Sequence, residues 1–222
     1  PALQNIGSIW IPVQTRRGCA LDCSYCSTST IEGRPVRSRS PEQVVRWLTE
    51  LSRAGYRNFN FVDNTFNIPQ AYAEQLCRGI VQAEIGINWW CIIYPNWVDR
   101  RLVELMAKAG CRQVSLGFES GSNQVLKRMN KQFQPEQVRA ISRLFRAAGI
   151  QQQGFLVLRM AQADAHAAFD VGCFREGAQV EADDGAFEPL ASGRQDRLGA
   201  VGGVGEKDIG HGRSLAGDRL PT

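Results

Sequence analysis

Histidine is almost missing from this chain of 222 residues: there are two, and neither comes before residue 159. Zinc sites that mix Cys with His ligands therefore have no His to use in the first 158 residues. Long apolar runs are missing too. Residues 9–13 and 89–94 fall far short of the ~20 apolar residues a bilayer-crossing helix needs, so no membrane span is expected. No basic segment leads into a long apolar one at the N-terminus, which leaves no secretory signal. No initiator Met opens the chain, and Pro1 is read as the start of a fragment with sequence upstream. Even pairing of thiols is excluded by the count, because there are seven Cys and three of them fall between residues 19 and 26. That pattern argues for reduced cytosolic thiols or metal ligation rather than a secreted disulfide framework.

What is present can build a core. Hydrophobic residues make up 43% and charged residues 22%, which excludes whole-chain disorder. The length suits one large domain or two small ones. The formal charge of +4 is unevenly spread: residues 1–158 carry a net +8 and residues 159–222 a net −4. The first part holds every Trp, Tyr and Asn, while the last 64 residues hold 11 Ala, 11 Gly and both His. A boundary is expected near Leu158. The tail has weak apolar periodicity, and runs such as GAVGGVGEKDIGHG suit neither helix nor strand. Two readings of residues 159–222 stand: a disordered extension, or a shifted reading frame in a GC-rich gene, since Ala, Gly, Asp and Arg codons are rich in G and C.

Before that boundary, short β-rich runs alternate with helical stretches. Residues 9–15 (IWIPVQT), 58–62 (NFNFV), 87–93 (INWWCII), 114–118 and 154–158 (GFLVL) read as five strands. Helices are predicted from Ser40-Pro41 to before Gly55, from Pro69 to about Ala83, over 99–109 and over 135–148. Five β/α alternations argue for a parallel α/β sheet, too short for a closed eight-stranded barrel. An open or partial barrel fits, with its chemistry at the C-terminal ends of the strands.

The sharpest feature lies just after the first strand: Cys19-Ala-Leu-Asp-Cys23-Ser-Tyr-Cys26. The positions i, i+4 and i+7 would share one helical face, so three core cysteines are one reading. Gly18, Asp22 and Ser24 disfavour a buried helix there, and Leu21 and Tyr25 would fall off that face. Structural zinc normally takes four ligands, often as paired C-x2-C elements, and there is no second pair. Three soft thiolates suit an iron–sulfur cubane with one iron left open for chemistry.

The C-x3-C-x2-C loop with an aromatic before its last Cys resembles the radical S-adenosylmethionine (SAM) superfamily. The stretch from Thr15 to Pro41, the FVDNTF run at 61–66 and GFESGS at 117–122 with Leu126 and Met129-Asn-Lys131 resemble its cobalamin-associated branch. The resemblance covers about residues 8–158 and implies a partial (β/α)6-type barrel, incomplete at its C-terminal end. It implies that Cys19, Cys23 and Cys26 hold a [4Fe–4S] cluster whose fourth iron binds SAM. Reductive cleavage would then give methionine and a 5′-deoxyadenosyl radical. It further implies Tyr25 against the adenine, Asp63 and Asn64 near the methionyl amino group, Glu119 at the ribose and Lys131 at the methionyl carboxylate. Asp63-Asn64 stands where relatives commonly have Gly-Gly-Glu, and an ordinary loop or helix cap is its other reading. Arg16, Arg17, Arg34, Arg37 and Arg39 surround the loop, for an anionic substrate, for SAM or for a reduced cluster.

Relatives usually carry Gly-x-Pro-Gly-Glu-Thr after the fifth strand, where Arg159-Met-Ala-Gln stands here, and no sixth strand is evident. A cytoplasmic radical SAM enzyme core is thus expected, performing methyl transfer or rearrangement on a small molecule. Its electron donor would be a flavodoxin or ferredoxin, and any cobalamin would sit on a domain outside this chain. A methylthiotransferase acting on tRNA or protein is the second reading, although arginines without interleaved aromatics do not favour nucleic acid. A truncated remnant binding a cluster or zinc is the third. Cys77, Cys91 and Cys111 read as small core residues, and Cys173 shows no ligand spacing.

Overall fold

The computed structural model describes residues 8–159 and the strand at 170–175, with backbone only for 156–159 and 170–175. All of them belong to the first of two units into which the chain divides, Pro1–Ala182. The readings of the tail as an extension or a shifted frame fall outside the described residues, apart from that one strand.

Every predicted strand and helix up to Leu158 is present. The elements run β1 (Trp10–Val13), β2 (Arg16–Arg17), α1 (Thr28–Ile31), β3 (Arg37–Ser38), α2 (Pro41–Arg53), β4 (Asn58–Phe61), α3 (Gln70–Gln82), β5 (Asn88–Ile93), α4 (Arg100–Lys108), β6 (Cys111–Glu119), α5 (Asn123–Arg128), α6 (Pro135–Ala147), β7 (Gln151–Arg159) and β8 (Asp170–Arg175). The local chemistry explains the boundaries. Ser40 caps α2 through its hydroxyl, which accepts from Gln43 N, and Pro41 fills the first position, where no donor is needed. Asp99 caps α4 in the same way, accepting from Leu102 N at 2.8 Å. Gly110 ends α4 at φ +94, and a Cβ there would lie 2.0 Å from the Ile87 carbonyl oxygen, so no other residue fits that crossing.

Six strands form one sheet in the order β1-β4-β5-β6-β7-β8. The first five pair in parallel, as helical crossovers require. The sheet is open at β1 and β8, so it forms a partial barrel. β8 is the element the sequence did not reveal: it is a sixth strand inside the tail, and it runs antiparallel to β7. Its sequence, DVGCFR, is short and broken by Gly172, which hides it from any propensity argument. β2 and β3 form a separate two-stranded ribbon.

One face of the sheet is covered by helices and the other is half-covered. In β4 and β5 burial alternates, with Phe59, Phe61, Trp89, Cys91 and Ile93 in the core and Asn60, Trp90 and Ile92 half-buried. Phe61, Phe66 and Trp89 pack ring against ring at 4.9–5.3 Å, and Trp89 Nε1 donates to Ala109 O. Cys77, Cys91 and Cys111 are buried in this core. No helix among the described residues is long and apolar enough to cross a membrane.

Candidate functional site

The cysteine loop leaves the C-terminal end of β2 and ends at α1. It is not helical, so the three thiols do not share a helix face. At its neck, Gly18 N donates to Glu32 Oε2 at 3.1 Å and Cys19 N donates to Gly33 O at 3.0 Å. Asn64 Nδ2 donates to the same Glu32 oxygen at 2.7 Å. Gly18 sits at φ +97, and a Cβ on it would lie 2.3 Å from Pro35 O. The middle of the loop is gripped from the other side. Ser24 donates through N to Met129 O and through Oγ to Arg128 O, and Asn130 Nδ2 donates to Asp22 O at 2.7 Å. Cys19 and Cys23 end up half-buried, with Cys26 exposed.

Cys19 and Cys23 both lie within electrostatic reach of Cys26. Burial pushes Cys19 and Cys23 above the usual thiol range, and both are also raised by neighbouring Cys26. The positive charge of Lys131 opposes the rise in each. Among the described residues no three His, Cys, Asp or Glu side chains converge as ligands of one metal ion. Thiolates on different corners of a cubane bind different irons and need no such convergence. Three soft donors on one loop are a donor set that suits iron–sulfur ligation.

Tyr25, Glu119 and Lys131 meet beside this loop. β6 ends at Glu119, which adopts φ +63, a conformation rare for any residue but Gly. α5 ends in a Schellman turn: Asn130 N bonds Lys127 O, Lys131 N bonds Leu126 O, and Asn130 takes the left-handed position at φ +55. That turn throws Lys131 back onto β6. Its ammonium lies 3.3 Å from Gly117 O and 3.4 Å from Glu119 Oε1, with both side chains nearly buried. It stands 5.2–5.7 Å from the ring centres of Tyr25, Tyr94 and Phe133. The Tyr25 hydroxyl donates to Glu119 Oε1 at 2.8 Å. Burial, then the Glu119 charge, drives that phenol far above its ordinary range, so it stays a donor. Burial pushes Tyr94 up to about 12, and its hydroxyl accepts from Gln132 N.

The other two candidate cofactor residues are held by hydrogen bonds to the scaffold. Asp63 is buried, and its carboxylate accepts from Thr15 N (2.7 Å), Arg16 N (3.0 Å), Arg16 Nε (3.2 Å) and a terminal Arg16 nitrogen (3.0 Å), and from the Thr15 hydroxyl. Arg16 also donates to Phe66 O and Ile68 O and lies on the Tyr72 ring. Asp63 thus ties the end of β4 to the strand that enters the cysteine loop, and Arg16 is a buried strut rather than an anion contact. Asn64 serves the neck through Glu32. Sequence reasoning missed Glu32, Ser24 and Asn130, whose partners are distant in sequence. It also missed Asn67, which donates to Tyr94 O and Asn96 O and so joins the loops after β4 and β5.

The family model of the Radical SAM superfamily matches residues 13–160, and the chain belongs to that superfamily. It is 32% identical over 125 residues to the bacteriochlorophyllide d C-12(1)-methyltransferase of Chlorobaculum tepidum, covering 54% of this chain and 27% of that protein. It is 28% identical over 151 residues to the tRNA-2-methylthio-N(6)-dimethylallyladenosine synthase of Geobacillus thermodenitrificans, covering 64% and 29%. The solved structure of the radical SAM methyltransferase TsrM from Kitasatospora setae, with cobalamin and a [4Fe–4S] cluster bound, superposes with a TM-score of 0.61 at 25% identity, covering 64% of this chain and 30% of that one. The chain spans about a third, or less, of the length of the curated relatives it matches.

Proposed function

We propose that residues 8–158 form the initiating core of a radical SAM enzyme that transfers a methyl group to a small molecule. In this reading Cys19, Cys23 and Cys26 hold a [4Fe–4S] cluster, which when bound supplies one electron to the SAM sulfonium. Tyr25, Glu119 and Lys131 hold SAM beside it. The observation that carries the reading is the convergence of Glu119 and Lys131, from the ends of β6 and α5, on Tyr25 of the cysteine loop. The buried ammonium of Lys131 offers a partner to a carboxylate, and the Glu119 oxygens accept from hydroxyls. With Asp63 and Asn64 engaged by the scaffold, those three residues form the described share of the SAM contacts. Cobalamin would sit on a domain outside this chain, as suits relatives about twice its length.

The test is 5′-deoxyadenosine formation after anaerobic cluster reconstitution with SAM and dithionite. Product that vanishes in Cys23→Ala supports the reading. Bound iron without product means that the cluster loop works and the SAM site does not. Similarity to the Geobacillus tRNA enzyme favours a second reading, methylthiolation of RNA, which requires salt-sensitive tRNA binding to the reconstituted chain.

A further inference from the structure

Phe61, Cys91, Ile93, Val114 and Leu116 pack in the core under the helices, so the residues between them line the opposite, inner face of the partial barrel. The register carries one row across that face, with Asn60 beside Trp90 and Trp90 beside Gln113. A second row lies one step nearer the strand ends, with Ile92 beside Ser115 and Ser115 beside Gln153. None of these six side chains ionises. Among the described residues, charge meets this face at its two ends. Arg112 donates to Asn88 at the N-terminal end, and Lys131 is paired with Glu119 at the other.

Ser115 is 1% exposed, and its hydroxyl has no hydrogen-bond partner among the described residues. An unpaired buried hydroxyl lowers stability, so the packing alone gives no reason for Ser there. Next to it, Gln113 Nε2 donates to Gln153 Oε1 at 2.9 Å, which holds the Gln113 amide in place. Gly117 follows Ser115 by two residues on the same strand and face, a rise of about 6.6 Å. It has no side chain to screen Ser115 from the cluster beyond. Glu119 Oε1 would lie 3.4 Å from a Cβ on Gly117, and Lys131 donates to the Gly117 carbonyl oxygen. The neutral rows therefore begin one strand step from the residues assigned to SAM.

We propose that Asn60, Trp90, Gln113 and Ser115 read the substrate, and that it is an uncharged flat ring with a donor and an acceptor on its edge, of the lactam or carboxamide class. The inference rests on the reading of the site as a radical SAM core and names what that core acts on. The Trp90 indole supplies a face for the ring, and the two amides and the Ser115 hydroxyl supply donors and acceptors for its edge. A carboxylate, phosphate or ammonium placed there would lose its water with no opposite charge to replace it.

The probes are nicotinamide and nicotinate, a neutral carboxamide ring and its charged counterpart of the same shape. Each is titrated into the anaerobically reconstituted chain and followed by ligand-observed saturation-transfer NMR. Nicotinamide is expected to bind more tightly than nicotinate by about 10-fold or more. Ser115→Ala is expected to weaken nicotinamide by about 5-fold. Its iron-free chain should melt at or above the parent's temperature, because the substitution removes an unpaired buried hydroxyl. Gln113→Lys, which sets a cation beside Trp90, should reverse the order of the two probes. Equal affinity of the parent for both probes, or nicotinamide binding untouched by Ser115→Ala, overturns the proposal. A Ser115→Ala chain that melts well below the parent overturns it too, by giving the hydroxyl a structural role. Displacement of nicotinamide by bulk tRNA overturns it in favour of an RNA base. If a parent that binds no nicotinamide still forms 5′-deoxyadenosine, the substrate assignment falls and the radical core stands. If a chain that forms none binds nicotinamide through Ser115, the radical core falls and the rows stand as a ligand site.

Discussion

The Tyr25 hydroxyl donates to Glu119 Oε1 at 2.8 Å across a separation of 94 residues, and Lys131 approaches the same oxygen at 3.4 Å. One carboxylate oxygen thus joins the cysteine loop, the end of β6 and the end of α5. Removing Glu119 leaves Lys131 nearly buried with, among the described residues, only the Gly117 carbonyl as a hydrogen-bond partner. Glu119→Ala is expected to cost about 2 kcal/mol of stability, within the range for an orphaned buried charged group. Glu119→Gln, which can still accept from Tyr25, costs less. Chemical denaturation of the iron-free chain checks both. Calorimetry on the reconstituted chain should show SAM affinity falling in each while iron content holds.

Asn130 has two separable roles. Its backbone is left-handed at φ +55, and its side chain grips Asp22 O. Asn130→Gly keeps the turn and loses the grip, whereas Asn130→Ala loses both and pays about 1 kcal/mol of left-handed strain besides. The Ala variant should therefore be the less stable of the two by roughly that amount. Hydrogen exchange at Ser24 N, which donates to Met129 O, should accelerate in both. Protection at Ser24 unchanged in both variants would show that Asn130 does not hold the loop.

The β/α order was legible because caps, glycine stops and apolar periodicity are local signals: Ser40-Pro41, Gly55, Asp99 and Gly110 mark their boundaries within a residue or two. The thiol triplet was equally plain. Tyr25, Glu119 and Lys131 could be singled out by resemblance, although their contact could not, since it depends on the Schellman turn that redirects Lys131. Asp63 shows what sequence hides. Its pattern suits a ligand-facing loop acid, but its partners Thr15 and Arg16 are 47–48 residues away and only the β1–β4 pairing brings them into reach. β8 has no local signal and exists through its pairing with β7.

Asp63 accordingly offers a direct test of scaffold against ligand contact. Removing one partner of a buried ion pair strands the other, at about 3–5 kcal/mol. Asp63→Ala is expected to destabilise the iron-free chain by that order, before any SAM is present. Asp63→Asn keeps part of the hydrogen bonding and should fall between parent and Ala. A variant as stable as the parent that loses only SAM affinity would instead place Asp63 at the ligand.

Gly18 cannot change without moving the neck of the loop. Its φ of +97 and the 2.3 Å approach to Pro35 O make Gly18→Ala both strained and clashing. The neck, not the core, bears the consequence. Iron uptake should drop severalfold while the melting temperature of the iron-free chain falls by only a few degrees, as expected for roughly 1 kcal/mol in a chain of this size. Parent-like iron uptake would mean that the neck tolerates the shift.

Glu32 makes the same neck sensitive to pH, and the sign follows from its surroundings. Hydrogen bonds from Gly18 N and then Asn64 hold its carboxyl below the usual carboxylate range, with Arg17 and Arg37 adding to the effect. A folded-state value below the unfolded one contributes stability that is fully present above the unfolded value, about 4.3, and is lost as the pH falls through the folded one. Glu32→Gln keeps an acceptor for Gly18 and removes the charge, so it isolates this contribution. The parent should melt at a higher temperature than Glu32→Gln at pH 7, and the gap should close as the pH is lowered below about 4.3. Melting curves of the two iron-free chains between neutral and acid pH measure it. A gap that stays constant across that window would mean the Glu32 charge does not hold the neck, and that shape alone does.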